Sequence, residues 1–416
     1  MKRGEPHELR KAMARAPEAR LLLLCARTTL DERQRQSLRD LCGTDLDWAI
    51  IDQLAARHGL FPLLHRHLGG LEPGAIPRSS RALLWARHET LCRRNRFMAR
   101  ELIDIVELLA REGIRVAPYK GPTLAVAAYG NLGLREFGDL DLLVRSKDAL
   151  RIQGLLQARG YRPEYALTSE LQQALVRSRR HYELPLRDET RALLVELHWR
   201  ADPDVEAVPL RDDSWWRELD RIDLLGASVP MLKTDDLMLV LCLHGTKHAW
   251  ASLGWLVDVA ELARRQQELD WEAIAGTARR LGVARKLGVA LTLCRDLLDV
   301  SFPPEALCTA DDPVVRRVAA QISATLFEPM YRLPSAAHVV RRNVELLEGT
   351  SARTRYLMRA LFTPGLGEWL RWQLPRRWHV LYVPLRLARL AEKYLLKRIP
   401  AAATPRTPPP PRHSTG

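Results

Sequence analysis

Gly138-Asp139-Leu140-Asp141-Leu142-Leu143-Val144 is the stretch on which the fold turns. Acidic and apolar residues alternate, as in a strand over residues 137–144. Residues i and i+2 of a strand share a face. Asp139 and Asp141 therefore project together, while Leu140 and Leu142 enter the core on the other side. Two carboxylates side by side on an otherwise apolar strand repel each other, and a divalent cation between them removes the repulsion. Hard oxygen ligands suit Mg²⁺ or Mn²⁺, which also take phosphate oxygens from a substrate. The competing reading is an amphipathic strand with two solvated carboxylates.

The flanking sequence bears on that choice. Upstream, residues 114, 116 and 119 alternate and lead into Lys120-Gly121-Pro122, followed by a helix over 123–129 and a turn over 130–133. Pro122 suits the first helical turn, where its missing N–H would be unpaired anyway. A helix N-terminus binds anions through free backbone N–H groups, Gly121 lets a phosphate approach the backbone, and Lys120 adds positive charge. Arg135, just before the acidic pair, has the charge to neutralise phosphate. Downstream, Ser146 caps a helix to about 159, and strands over 182–186 and 193–199 are joined by a turn at Asp188-Glu189-Thr190. In Val195-Glu196-Leu197-His198-Trp199 the two polar side chains share a face. Glu196 is a candidate third carboxylate for a metal site, or a base for an acceptor hydroxyl; His198 is a candidate for phosphate or acceptor contact. The plain alternatives are an ordinary turn, a surface arginine and a strand with its polar side in water.

Further out, the chain reads as helices. Residues 1–95 hold a helix beginning near Leu46, with Thr44 and Asp45 as candidate caps, and a long helix over about 80–111. Helices resume at Thr234-Asp235-Asp236. The sum is an α+β chain, a small mixed sheet between two helical regions. On the helix after 234, His244 and His248 lie four apart with Lys247 beside them and Asp258 on the next helix. A zinc-protease pattern is absent because residue 245 is Gly, so metal binding is disfavoured against histidines that pack on the core or line the acceptor side, with Lys247 placed to touch phosphate.

These stretches together resemble the nucleotidyltransferase (DNA polymerase β-like) superfamily, and more narrowly the bacterial family of uncharacterised nucleotidyltransferases. The matching segments are Tyr119-Lys120-Gly121-Pro122, Arg135 through Val144 and Val195 through Trp199, with Asp47-Trp48 and residues 244–258 similar in the flanks. The resemblance implies transfer of a nucleoside monophosphate from an NTP to an acceptor (small molecule, sugar, peptide or protein) with release of pyrophosphate. It implies Mg²⁺ or Mn²⁺ on Asp139, Asp141 and Glu196, and nucleotide contacts at Lys120, Gly121, Arg135 and Gly138. His198, His244, Lys247 and His248 fall on the acceptor side. The chain departs where the superfamily has Gly-Gly or Gly-Ser in place of Lys120-Gly121, and in a longer gap from Gly121 to Asp139. The alternative is a non-catalytic nucleotide- or partner-binding member of the fold; an RNA-directed transferase or RNA-binding protein ranks below both. The expected organisation is an N-terminal helical region over 1–95, a nucleotidyltransferase core over 96–232, a C-terminal helical region over 233–399 and a disordered Pro-rich tail over 400–416.

Composition constrains the partners. A formal net charge of +14 over 416 residues favours polyanions. Residues 353–398 hold eleven Lys or Arg against two acids. After Pro384, Leu387 and Leu390 fall on an apolar stripe, and Arg386, Arg389, Lys393 and Lys397 on a basic one. The readings are docking on an anionic membrane or lipid-linked substrate, or a solvated helix face; nucleic acid is disfavoured because no RNA-binding module accompanies the charge. Six cysteines without a CxxC pair read as reduced thiols. Apolar runs at 21–25 and 237–243 are too short for a signal peptide or a spanning helix of about 20 residues, so the expected location is cytoplasmic, with contact at a membrane periphery. No P-loop, dinucleotide fingerprint or hydrolase elbow is present.

Overall fold

The computed structural model describes residues 16–178, 180–200, 216, 218–328 and 336–395; the Pro-rich tail and Lys397 lie outside them. Among the described residues five helices come first: α1 Pro17–Cys25, α2 Glu32–Cys42, α3 Trp48–His58, α4 Phe61–Leu68 and α5 Arg78–Arg111. The cap of α3 is Asp47, not Thr44 or Asp45: its carboxylate accepts from the N–H groups of Ala49 and Ile50, and it directly precedes the first helical residue. The expected domain boundary at 95/96 falls inside α5. The N-terminal half of α5 packs through Leu84 with the other helices, and its C-terminal half, Met98 to Leu109, packs beneath the sheet.

The middle of the chain is mixed: β1 Val116–Pro118, α6 Gly121–Tyr129, β2 Leu140–Val144, α7 Ala149–Gln157, β3 Arg162–Pro163, α8 Ser169–Arg177, β4 Glu183–Asp188, β5 Leu193–His198, and the hairpin β6 Asp220–Leu224 with β7 Ala227–Met231. The five-stranded sheet runs β1-β2-β5-β4-β3. Only β2 and β5 are parallel; the other neighbours are antiparallel. The turn between β4 and β5 is built by Asp188, whose Oδ1 accepts from the Thr190 N–H, the Thr190 hydroxyl and the Arg191 N–H, an Asx-type turn. Helix α7 begins at Ala149 and has no side-chain cap, so Ser146 does not serve as one.

Strand alternation sorts the side chains between two cores. Leu140, Leu142 and Val144 of β2 and Val195 and Leu197 of β5 are fully buried with α5, α7 and α8. Each such side chain contributes roughly 1.5–3 kcal/mol. Leu143 points the other way, into the core shared by the N-terminal helices and the helices that follow the sheet. Asp141, Glu196 and His198 stand on this second face.

The later helices are α9 Thr234–Lys247, α10 Leu253–Arg265, α11 Trp271–Arg280, α12 Ala284–Leu298, α13 Pro313–Leu326, α14 Ala336–Leu346, α15 Thr350–Phe362, α16 Leu366–Arg371 and α17 Tyr382–Leu395. No described helix is long and apolar enough to cross a membrane. All six cysteines are free. In α17 the expected facing is inverted. Arg386 is buried against Glu368, Arg389 reaches the same carboxylate, and Leu387 is exposed. The cause is the buried Glu368 on α16, which draws both guanidinium groups inward.

Candidate functional site

The parallel pairing of β2 with β5 sets Asp141 opposite Glu196 and Leu143 opposite His198. The register brings three polar side chains to one spot on the sheet. His198 Nε2 lies 3.2 Å from Asp141 Oδ1 and 3.2 Å from Glu196 Oε2. Lys120 Nζ donates to Asp141 Oδ1 at 2.9 Å. Asp141 is 2 % exposed, and its Oδ2 has no hydrogen-bond partner. A buried carboxylate oxygen without a donor is costly, and a cation satisfies it. Asp141, Glu196 and His198 offer ligand atoms that all lie within 4.8 Å of one another, a group able to hold a metal ion. Two carboxylates and an imidazole are a chemically sound donor set for a divalent ion.

Asp139 sits just before β2, not within it, and is half-buried. Burial and the neighbouring Asp141 charge push its carboxyl up to about 6, against the opposing effect of Lys120. Burial would raise Asp141 as well, but Lys120 and His198 overcome it and hold that carboxyl far below the usual range. His198 holds Glu196 down. Burial lowers the His198 imidazole, but the two carboxylates more than reverse this and raise it.

Gly121 opens α6 with φ +54°, and a Cβ there would stand 3.1 Å from the Asp139 carbonyl oxygen. The bare Cα is what lets the start of α6 lie against the backbone that presents Asp139. Gly138 is different: exposed, with nothing within reach of an added Cβ. Gly121→Ala is therefore expected to lose about 1–2 kcal/mol from its left-handed φ alone. Gly138→Ala should be neutral or slightly stabilising. Thermal unfolding of the two variants checks the contrast; equal melting temperatures would refute this account of Gly121.

Helix α9 faces the cluster. Its half-buried His244 is pushed well below the ordinary imidazole range by burial and by Lys120. The rings of His244 and His248 are 4.6 Å apart and both pack on Trp255. Lys247 donates to the Tyr182 hydroxyl and lies 4.0 Å from Glu183 Oε2. Gly245 is required because a Cβ there would enter the Trp250 ring, which explains why no Glu follows His244.

Some placements differ from the sequence expectation. Arg135 lies near enough to Asp139 for the two charges to act on each other, but its hydrogen bonds go to Asp258. Its Nε and Nη2 donate to Asp258 at 2.7 and 2.9 Å, and the Tyr129 hydroxyl donates to the same Asp at 2.7 Å. Asp258 is thereby committed to Arg135 and Tyr129 and not to the α9 histidines. Three neighbours of His198 were given no site role by the sequence reading: Tyr119, whose ring meets it edge-on at 5.6 Å; Tyr182, stacked at 6.0 Å; and Glu183, 3.8 Å from Nδ1. The alternation Tyr182-Glu183 was the available signal, but only the β4–β5 register, Glu183 opposite His198, makes it specific. Beside Gly138 a cavity of about 380 Å³ is lined by Arg57, Arg94, Arg135 and Glu136 among others.

Residues 44–299 match the family described as uncharacterised nucleotidyltransferase, well over half of the chain. No curated protein matches it.

Proposed function

This chain belongs to the family of uncharacterised nucleotidyltransferases, and we propose that it moves a nucleoside monophosphate from an NTP to an acceptor hydroxyl, on a scaffold of the DNA polymerase β-like kind. The observation that carries this reading is the register of β2 with β5, which sets Asp141 opposite Glu196 with His198 beside both. Asp139, Asp141 and Glu196 are the residues that would hold Mg²⁺ or Mn²⁺, with His198 as a neighbouring ligand. Such an ion, when bound, supplies charge neutralisation at the phosphates.

The rest of the chemistry is positioning. The acceptor oxygen attacks the α-phosphorus, the bond to the bridging oxygen breaks, pyrophosphate leaves, and the hydroxyl proton passes to a carboxylate of the cluster. Lys120 and the open start of α6 at Gly121 supply positive potential to the phosphates. The cavity beside Gly138 supports the same assignment through Arg57 and Arg94, which stand outside the Arg135–Asp258 pair, since guanidinium groups suit phosphate oxygens. His244, Lys247 and His248 border the acceptor. In this reading residues 96–232 are the catalytic core, with 1–95 and 233–399 flanking it.

Nucleotide binding without transfer is favoured by one observation: Lys120 already neutralises Asp141. Thermal unfolding with each of the four NTPs, with and without Mg²⁺ or Mn²⁺, separates the readings. A ligand bound only to the folded state raises the melting temperature. Transfer at this site predicts a rise with at least one NTP that requires the metal. A metal-independent rise favours binding alone, and no rise with any NTP sinks both.

A further inference from the structure

The twelve large hydrophobic side chains exposed among the described residues are unevenly spread: nine fall between residues 357 and 387. This stretch lies beyond residue 299, where the family match ends. Helix α15 buries none of its thirteen residues. Its Leu357, Met358, Leu361 and Phe362 recur at i, i+1, i+4 and i+5, so they form one face. Arg355 and Arg359 lie along its border. In the 3₁₀ turn over 376–381, Trp378 is 48 % and Val380 74 % exposed, next to exposed Arg376 and Arg377.

The segment is nevertheless fixed to the body. Trp369 and Tyr382 are buried in the core beneath the sheet. Glu368 is fully buried and accepts from the Gly365 N–H, Arg386 and Arg389. Arg386 also donates to the carbonyls of Ala360 and Leu361, tying the end of α15 to α17. Trp369, Tyr382 and the Glu368 node are thus consumed by packing, while exposed apolar side chains with arginines beside them remain on α15 and on the 376–381 turn. Residues 350–392 hold eight arginines and two glutamates, and one of those glutamates is spent on the internal node.

We propose that this outward face, α15 with the 376–381 turn, docks the protein on an anionic lipid bilayer. Charge complementarity selects that occupant: arginines beside exposed Leu, Met, Val and Trp match a surface that is negative at the headgroups and apolar beneath. An RNA surface would use the arginines but leave the aliphatic side chains in water, and a second copy of this chain would set arginine against arginine.

The test uses the full chain and sedimentation with phosphatidylcholine vesicles, with and without phosphatidylglycerol. Binding is expected with the anionic vesicles, at least tenfold weaker without phosphatidylglycerol, and weakened by salt. Arg376→Ser/Arg377→Ser should weaken it roughly tenfold to thirtyfold. Trp378→Ser/Val380→Ser should weaken it comparably and remove part of the tryptophan quenching by brominated acyl chains. All these positions are exposed, so unchanged melting temperatures will show that the variants fold. Absence of binding to anionic vesicles at low salt overturns the proposal. So does binding by both double variants as strong as that of the parent chain, or RNA binding or self-association through this face without vesicle binding.

Discussion

Asp258→Ala is expected to lower folding stability by about 3–5 kcal/mol, measured by urea unfolding. Asp258 is 4 % exposed and takes three hydrogen bonds, two from Arg135 and one from Tyr129. Removing it leaves a buried guanidinium without its counter-charge and a buried phenol without its acceptor. The pair joins the segment before β2 to α10, 123 residues later in the chain, so its loss should loosen the approach to Asp139 as well. Tyr129→Phe, which removes one hydrogen bond, should cost only about 1 kcal/mol. Arg135→Met combined with Asp258→Leu should recover much of the loss, since apolar residues of similar size replace buried ion pairs well. An Asp258→Ala variant within 1 kcal/mol of the parent would contradict this reading of the pair.

The second large effect is on chemistry. Asp141→Asn and Asp139→Asn are each expected to reduce pyrophosphate release from the productive NTP, in the presence of an acceptor pool extracted from cells, by on the order of 10³-fold or more. Their stabilities should diverge. Asp141 neutralises Lys120 and His198 in a buried setting, so its replacement costs about 1–3 kcal/mol. Asp139 is repelled by Asp141 and Glu196, so Asp139→Asn should leave stability unchanged or raise it. Retained transfer in both variants would remove the carboxylates from the mechanism.

The strand reading was legible because its signal is local. Asp139 through Val144 and Val195 through Trp199 alternate within a few residues, and alternation dictates faces whatever the strands pair with. Pairing is not local. Nothing in the sequence says that β2 and β5 are parallel neighbours with Asp141 opposite Glu196, and so nothing there separates His198, which lies against both carboxylates, from His244 and His248 on α9. Arg135 shows the same limit: its charge and its place before the acidic pair suggest phosphate, but its partner is on a distant helix. Helix α17 shows it once more, because the buried Glu368 that turns Arg386 inward comes from another element. The hairpin β6–β7 went unread although its signal was there, Ile222 and Leu224 alternating on one side of Gly226 and Ala227, Val229 and Met231 on the other; the two-residue β3 is too short to carry a pattern.

The measurement that bears most directly on the central claim is Mn²⁺ binding followed by electron paramagnetic resonance, on the parent chain and on Asp141→Asn and Glu196→Gln, with a non-hydrolysable NTP analogue present. If Asp141 and Glu196 hold the ion, the parent binds Mn²⁺, each variant binds it at least tenfold more weakly, and Mg²⁺ competes. Mn²⁺ binding of equal strength in all three proteins, or none in the parent, would contradict the claim that this face of the sheet is a metal-dependent nucleotidyl-transfer site.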